Sequence, residues 1–501
     1  MRGPEERLPT AVYSASQIRE LERLAPERDG FPSYELMTRA GAAALEVLRR
    51  HWPGARRVLV YCGPGNNGGD GYALARDARA AGLDAAVVAL VPTERLKGDA
   101  ARAARDCRAA GVPIEAHDAR SDAIARHDPD VLVDGLLGIG ADRELGGDLA
   151  AAVAALNGAR KPVLALDIPS GLHADTGLVL GAAVGAAVTI TFLGLKPGLF
   201  LGSGCDLTGT LEVADLGAAT EPGSSPVLAR LTGDDLDRAL PRRRRSAHKG
   251  TSGRLLLVGG GPGMPGAIRL AAEAALRSGA GLVEVATHCD SAPAVLAGRA
   301  EVICRPVEGA AELDALLELA DGVVVGPGLG MSEWGRAMWR RVAGSTLPLV
   351  VDADALNLLA ESPAARGRWI LTPHPAEAAR LLHGTTSDVQ RDRLGVAREL
   401  ARRYDAVAVL KGACSLVAVH RPEASVAVCD RGNPGMATAG MGDVLAGVLG
   451  ALLVQTRDLE ASARAGVLLH ALAGDDAARE GERGTIASDL LPHLRRWANR
   501  T

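Results

Sequence analysis

Arg57-Val58-Leu59-Val60-Tyr61-Cys62-Gly63-Pro64-Gly65-Asn66-Asn67-Gly68-Gly69-Asp70-Gly71 decides the fold of the N-terminal half. A β-branched apolar run stops at nine residues, five of them glycine, and an alanine- and arginine-rich stretch over 71–81 then reads as a helix. Strand, glycine turn and helix in that order open a βα unit. Working outward, 85–91, 131–133 and 163–167 read as further strands, and 98–110 and 148–156 as helices. Such alternation predicts a parallel sheet covered by helices. Glycine, proline and serine cluster from Gly217 to Ser225, the expected linker. Beyond it, strands are expected at 254–258, 282–287, 322–325, 348–352, 369–371 and 406–410. Helices are expected at 266–278, 311–320, 332–343 and 388–403, with a long one from about Gly442.

In an open parallel sheet, ligands sit outside the carboxyl ends of the strands. The glycine segment 63–71, Asp134 in VLVDGLLGIG and Asp167 in LALDIPSG should therefore converge on one crevice. Free N–H groups at a helix start attract phosphate, and no G-K-[ST] follows, so the segment is not a Walker A loop. The oxygen-bearing Asn67, Asp134 and Ser170 suit a hard cation, and Asp167 suits general acid–base work. Lys196, in FLGLKPG after a strand, is read either as a solvated surface charge or as a functional cation, and is counted among the catalytic candidates.

In the C-terminal half, Gly261-x-Gly263-x-x-Gly266 lies between a strand and a helix, with Glu284 further on. This resembles a dinucleotide fingerprint, but Pro262 and Pro265 interrupt it. The more informative segment is Gly432-Asn433-Pro434-Gly435-Met436-Ala437-Thr438-Ala439-Gly440-Met441-Gly442-Asp443, ahead of an apolar helix. Backbone N–H groups of small residues at a helix start form an anion hole, and an aspartate there can accept a proton from an attacking hydroxyl. Asp443 is also what plain helix capping favours. Lys411-Gly412-Ala413-Cys414-Ser415 after VAVL adds a second nucleotide-type loop, while VVVGPGLG (323–330) and LTPHPAEAARLL (371–382) add two strand ends. His374, between prolines, is expected outside a helix and in contact with ligand. Four consecutive arginines, Arg242 to Arg245, read as a solvated surface.

Composition bounds the rest. A chain of 501 residues, 47% hydrophobic with 61 glycines, is a globular protein of two ordinary domains. With 56 basic and 60 acidic residues, a net charge of −4 offers no general pull towards nucleic acid or membrane. Only five of the basic residues are lysines (Lys97, Lys161, Lys196, Lys249, Lys411). Seven scattered cysteines, none spaced C-x-x-C, suit a reducing compartment, and MRGPEERLPT lacks the apolar core of an export signal. Thr176 to Leu195 is long enough to span a bilayer but reads as loop plus buried strand. A cytoplasmic homo-oligomer without nucleic-acid or membrane partners is expected.

FPSYELMTRAG (31–41), GPGNNGGDG, DGLLGIG and DIPSG together resemble the epimerase domain of the bifunctional NAD(P)H-hydrate repair enzymes. KGTSGRLLLVGG, PGAIRLAA, GPGLG, VDADALN, TPHPAE, LKGACSLV and GNPGMATAGMGDVLAG, in order over 249–447, resemble the ribokinase-like ADP-dependent NAD(P)H-hydrate dehydratases. The resemblance implies a Rossmann-like three-layer α/β/α epimerase domain over 10–219 and a ribokinase-like α/β dehydratase domain over 227–500. It implies that Asn66, Asn67, Gly68, Gly69, Asp70, Gly138, Ile139, Gly140, Ala141, Asp142, Arg143, Glu144 and Asp167 bind hydrated NADH or NADPH, with Asp167 the proton carrier. Asn67, Asp134 and Ser170 would ligate potassium. In the second half it implies hydrate contacts from Ala267, Gly330, His374 and Asp443, and an adenine nucleotide, ADP with magnesium, on Lys411, Gly412, Ala413, Cys414, Ser415 and Gly442. Ala376, Ser415 and Met441 depart from the family's usual residues. The alternative is a ribokinase-like small-molecule kinase fused to a non-catalytic binding domain.

Overall fold

The computed structural model describes residues 8–119, 122–218, 223–421 and 424–500. Residues 1–7 of the stretch read as lacking an export signal, and 219–222 of the expected linker, lie outside the described residues. The chain divides into two compact units, Met1–Leu228 and Ala229–Thr501.

In the first unit, helices α1 (Ala15–Asp29) and α2 (Ser33–His51) precede the sheet. Its strands are β1 (Arg57–Cys62), β2 (Asp84–Ala89), β3 (Ile114–Ala116), β4 (Val131–Gly135), β5 (Val163–Leu166), β6 (Val188–Phe192) and β7 (Thr210–Ala214). They lie in the order β3-β2-β1-β4-β5-β6-β7, all parallel. The order reverses between β1 and β4, and the glycine segment and Asp134 flank that switch point. Helices α3 (Asn66–Ala80), α4 (Gly98–Ala109) and α5 (Gly147–Gly158) supply crossovers. The central strands are mostly apolar because both faces are covered: Leu59, Leu132 and Val133 are fully buried.

Helix α3 begins at Asn66 rather than 71, so Asn66 to Asp70 form its first turns, not a loop. Close packing explains glycines in a helix, where each costs about 1 kcal/mol against alanine. A methyl on Gly68 would run into the Gly63 carbonyl, and one on Gly69 into Met37 of α2. Thr176 to Leu195 is irregular chain followed by β6, and among the described residues no helix is long and apolar enough to cross a membrane.

The sheet of the second unit includes β8 (Arg254–Val258), β9 (Leu282–Thr287), β10 (Ile303–Pro306), β11 (Gly322–Val325), β12 (Leu349–Val351), β13 (Trp369–Leu371), β14 (Val407–Leu410), β15 (Leu416–Ala418) and β16 (Val426–Val428). The order is β16-β15-β14-β13-β12-β11-β8-β9-β10. β8 to β14 pair in parallel, whereas β15 is antiparallel to both β14 and β16. Helices α6 (Pro265–Arg277), α7 (Glu333–Ala343), α8 (Asp354–Glu361), α9 (Pro375–Leu382), α10 (Met441–Thr456), α11 (Leu459–Ala477) and α12 (Leu490–Trp497) are the main helical cover. Here the switch point lies between β8 and β11, whose following loops bond to each other: Gly260 and Gly261 donate to the carbonyls of Pro327 and Gly328.

Two expected helices differ. The 388–403 helix is two, Thr386–Arg391 and Arg393–Tyr404, because Asp392 between them accepts from the Gly395 amide and caps the second. The 311–320 helix opens as a 3-10 turn, Ala310–Leu313, before Asp314–Leu319. The dinucleotide fingerprint loses its acid as well. Glu284 is buried within β9 and held by Arg254 (2.6 Å) and Arg305 (2.8 Å), which leaves no carboxylate for a ribose.

Candidate functional sites

Each unit carries its own cluster. In the first, Asp167 follows β5 at φ +67, a left-handed conformation that aspartate tolerates better than most residues. Its amide donates to Ile190 (2.7 Å), and its carboxylate pairs with the Lys196 ammonium. Lys196 is wholly buried and also donates to Thr191 Oγ1 (2.7 Å) and the Phe192 carbonyl (2.9 Å). This overturns the surface-charge reading of Lys196, since a buried ammonium persists only when paired and hydrogen-bonded. Gly138 lies against both partners of the crevice: a Cβ there would sit 3.1 Å from Asp167 Oδ2 and 3.4 Å from Asn67 Cβ. Asn67, Gly138, Asp167 and Lys196 thus meet at the carboxyl ends of the strands.

Both polar atoms of the Asn67 amide are buried without a hydrogen-bond partner among the described residues. A buried amide without a partner calls for an explanation, and a bound ion or ligand would supply one. Next to it, Asp134 is fully buried, with only neutral hydrogen-bond partners: Ser170 N (2.8 Å), Ser170 Oγ (2.6 Å) and Leu136 N (3.1 Å). Burial pushes the Asp134 carboxyl up to about 6, against the opposing pull of those hydrogen bonds. A carboxylate, an amide oxygen and a hydroxyl, short of positive charge, form a donor set that fits a hard monovalent cation.

Sequence reasoning missed Glu22. Burial, followed by repulsion from Asp167, pushes its carboxyl up to about 7, although its side chain still reaches solvent as a residue lining an open cleft does. One turn earlier on α1, Arg19 donates to the Ile139 carbonyl (3.0 Å), which lays this helix face over the Gly138 loop. Burial and the charge of Asp167 hold Asp70 well above the usual carboxylate range. Gly140 to Glu144 continue as irregular chain towards α5; Asp142, Arg143 and Glu144 are exposed.

In the second unit, α3's counterpart is α10. Gly440, at φ +89, caps it without a side-chain hydrogen bond, and α3 likewise starts from an uncapped Gly65. Both helix starts keep their N–H groups open to an anion. Asp443 lies in the first turn of α10, and Gly442 presents its Cα to the Lys411 ammonium: a Cβ would lie 3.4 Å from Nζ and 3.8 Å from Asp352 Oδ2. Lys411 bonds Asp352 at 2.7 Å and lies 3.8 Å from Glu377. Burial alone would lower the lysine, but Asp352 and Glu377 outweigh it and hold it above its ordinary value. Burial, then Asp352, pushes Asp443 up to about 6 while Lys411 pulls the other way.

His374 lies outside the helix, as expected: it is the N-cap of α9, in an extended conformation. Its Nδ1 accepts from Ala376 N (3.1 Å) and Glu377 N (3.4 Å), and burial followed by Lys411 lowers its pKa. The ring is therefore neutral at pH 7, with its proton on Nε2. Glu377, raised to about 7 chiefly by burial, accepts the His374 amide at 2.8 Å. Gly330 donates to Asp354 Oδ2 (2.8 Å), and a Cβ on neighbouring Gly328 would lie 3.2 Å from Ala267 Cβ, which brings Ala267 and Gly330 to one rim. In the loop after β14, Gly412 and Cys414 adopt positive φ, Ser415 Oγ donates to the Gly412 carbonyl (3.0 Å), and Arg393 donates to that of Cys414 (3.3 Å). Asp352, Asp354 and Glu377 were missed as site residues, although the acids of VDADALN and TPHPAE stand at strand ends, the signal that selected Asp134 and Asp167.

Two family models match: YjeF-related protein N-terminus over residues 33–198, and NAD(P)H-hydrate dehydratase over 255–496. The chain is 46% identical over 499 residues to the bifunctional NAD(P)H-hydrate repair enzyme of Coxiella burnetii, covering 98% of this chain and all of that one. Its identity to the Escherichia coli enzyme of the same description is 44%, over 98% and 95% of the two chains. Among solved structures, a ribokinase-like superfamily protein from Enterococcus faecalis superposes with a TM-score of 0.51 at 28% identity, over 56% of this chain and 98% of that one.

Proposed function

The chain belongs to the bifunctional NAD(P)H-hydrate repair enzymes, and from that premise we propose how its two clusters divide the repair of hydrated NADH and NADPH. The first unit interconverts the R and S hydrates, and the second dehydrates the S hydrate at the expense of ADP, giving NAD(P)H, AMP and phosphate. The observation that carries this reading is Asp443, a base of raised pKa beside Lys411 on an uncapped helix start.

In the second unit, Asp443 accepts the proton of the C6 hydroxyl as that oxygen attacks the terminal phosphorus of ADP. The new O–P bond forms as the bridging P–O bond to AMP breaks. The C6–O bond then breaks, phosphate leaves, and loss of the C5 proton closes the ring double bond. Lys411 and the N–H groups around Gly442 face the transferring charge. Ala267, Gly330 and His374 line the hydrate side, and Gly412, Ala413, Cys414 and Ser415 the adenine-nucleotide side. Magnesium would enter on the phosphates of ADP.

In the first unit, Asp167 moves the proton, and Lys196 keeps that carboxylate aimed. Asn66 to Asp70 and Gly138 to Glu144 line the hydrate. Asn67, Asp134 and Ser170 would hold potassium, which would neutralise the buried Asp134. Removing potassium by dialysis into a tetramethylammonium buffer should slow R/S exchange and leave ADP-dependent recovery of NADH unchanged. A cytoplasmic homo-oligomer completes the reading, with light scattering as its test. The kinase alternative gives way because relatives matching over the whole length share the two-activity description, and the first unit carries a buried ion pair beside an orphaned amide.

The decisive test follows NADH absorbance and the R/S ratio separately, with purified protein, mixed hydrates and ADP. Asp443→Ala should abolish recovery of NADH, by about 1,000-fold or more, and leave epimerisation intact. Undiminished recovery by that variant, or build-up of a stable phosphorylated hydrate, would sink the assignment.

A further inference from the structure

The segment Gly432–Gly440, which delivers the open start of α10, is held at both ends by one helix, α11. At its entry, Asp475 uses both carboxylate oxygens: Oδ2 accepts from the Gly432 amide (3.2 Å) and Oδ1 from the side-chain amide of Asn433 (3.1 Å). Asn433 in turn caps the 3-10 turn Pro434–Met436 by accepting from Gly435 N at 3.0 Å. Met436 then lies over Gly474 of α11, where any side chain would strike its sulfur. At its exit, His470 on the same helix is hydrogen-bonded to the Met441 backbone, and its Nε2 is buried without a partner among the described residues. Burial lowers the imidazole to about 4, so it is neutral at pH 7 and adds no proton there.

These groups hold, at its entry, middle and exit, the segment that leads to the N–H groups at 440–442. An anion hole works only if its donors are already aimed, and a glycine-rich segment is the least able to aim itself. Resting on the dehydratase reading above, we propose that Asp475 is a positioning residue of the phosphoryl site: its two hydrogen bonds fix the Gly432–Asn433 entry and so hold the anion hole in register. The acid belongs to the reaction through the loop, not through the fold of the helix that bears it.

The test uses the full chain. In Asp475→Asn the new amide meets the Asn433 amide donor to donor. Dehydration kcat should fall about 10- to 100-fold, with the KM values for ADP and hydrate moving less than about threefold and epimerisation by the other unit unchanged. The reciprocal pair Asn433→Asp with Asp475→Asn exchanges donor and acceptor and should return kcat to within about threefold of wild type. Asn433→Ala removes the loop side of the pair without altering α11 and should lower kcat similarly, which decides the matter if Asp475→Asn does not fold. Wild-type kcat in Asp475→Asn or Asn433→Ala overturns the proposal, as does a well-folded reciprocal pair that stays slow. A wild-type protein without ADP-dependent turnover would instead strike the dehydratase reading itself.

Discussion

Asp443 is held in a state that costs stability and, in the proposed mechanism, serves chemistry. Burial and Asp352 raise its carboxyl from the ordinary 3.8 to about 6. A carboxyl whose folded pKa is raised stabilises the fold below its unfolded value, and that contribution is lost as pH rises through the folded one. Between about pH 4 and 6 ionisation therefore works against the second unit, and above 6 the full cost is present. Asp443→Asn should be more stable than wild type at pH 7.5, by on the order of 1–2 kcal/mol after allowance for its partial exposure, with the gap closing near pH 4. Calorimetry across that range measures it, and a variant less stable at pH 7.5 would contradict the sign. In the proposed mechanism the same ionisation governs turnover: kcat/KM for dehydration should rise about tenfold per pH unit below 6 and level off above it.

At the scale of elements, α10 carries the site and owes its place to missing side chains. A methyl on Gly447 would run into the Ala271 carbonyl of α6, and one on Gly450 into Val324 and Leu255 of the sheet. Gly447→Ala should gain helix propensity and still destabilise the second unit by about 2–3 kcal/mol, because two packed backbones have to separate. Thermal unfolding of the variant measures this, and a stabilised protein would show that the contact yields. The glycine runs were legible in the sequence as ligand loops, but their packing duty was not: Gly68 and Gly69 lie inside α3 because the Gly63 carbonyl and Met37 leave no room for a side chain. The buried strands were read well, since an apolar β-branched run between turn residues has few other fates. Strand-end acids told of Asp134 and Asp167. Glu22 was hidden, as nothing local in helix α1 says which face lies over Asp167, and Lys196 could not be told from a surface lysine until its surroundings were known.

For the whole molecule, two units that each carry their own cluster imply reactions that fail separately. Supplied with mixed hydrates and ADP, Asp167→Asn should recover NADH from the S hydrate at the wild-type rate and then slow to the pace of uncatalysed R/S exchange, which chromatography shows as a persisting R peak. Recovery running to completion at the wild-type rate would assign proton transfer elsewhere. The scarcity of lysine has a practical consequence. Each unit places one lysine in an ion pair at its cluster, Lys196 with Asp167 and Lys411 with Asp352, while Lys97 and Lys249 stand exposed and Lys161, paired with Asp128, is half-exposed. An amine-acylating reagent therefore meets five side-chain targets, each identifiable by mass, and the two slowest report local opening at the two candidate sites with no engineered label.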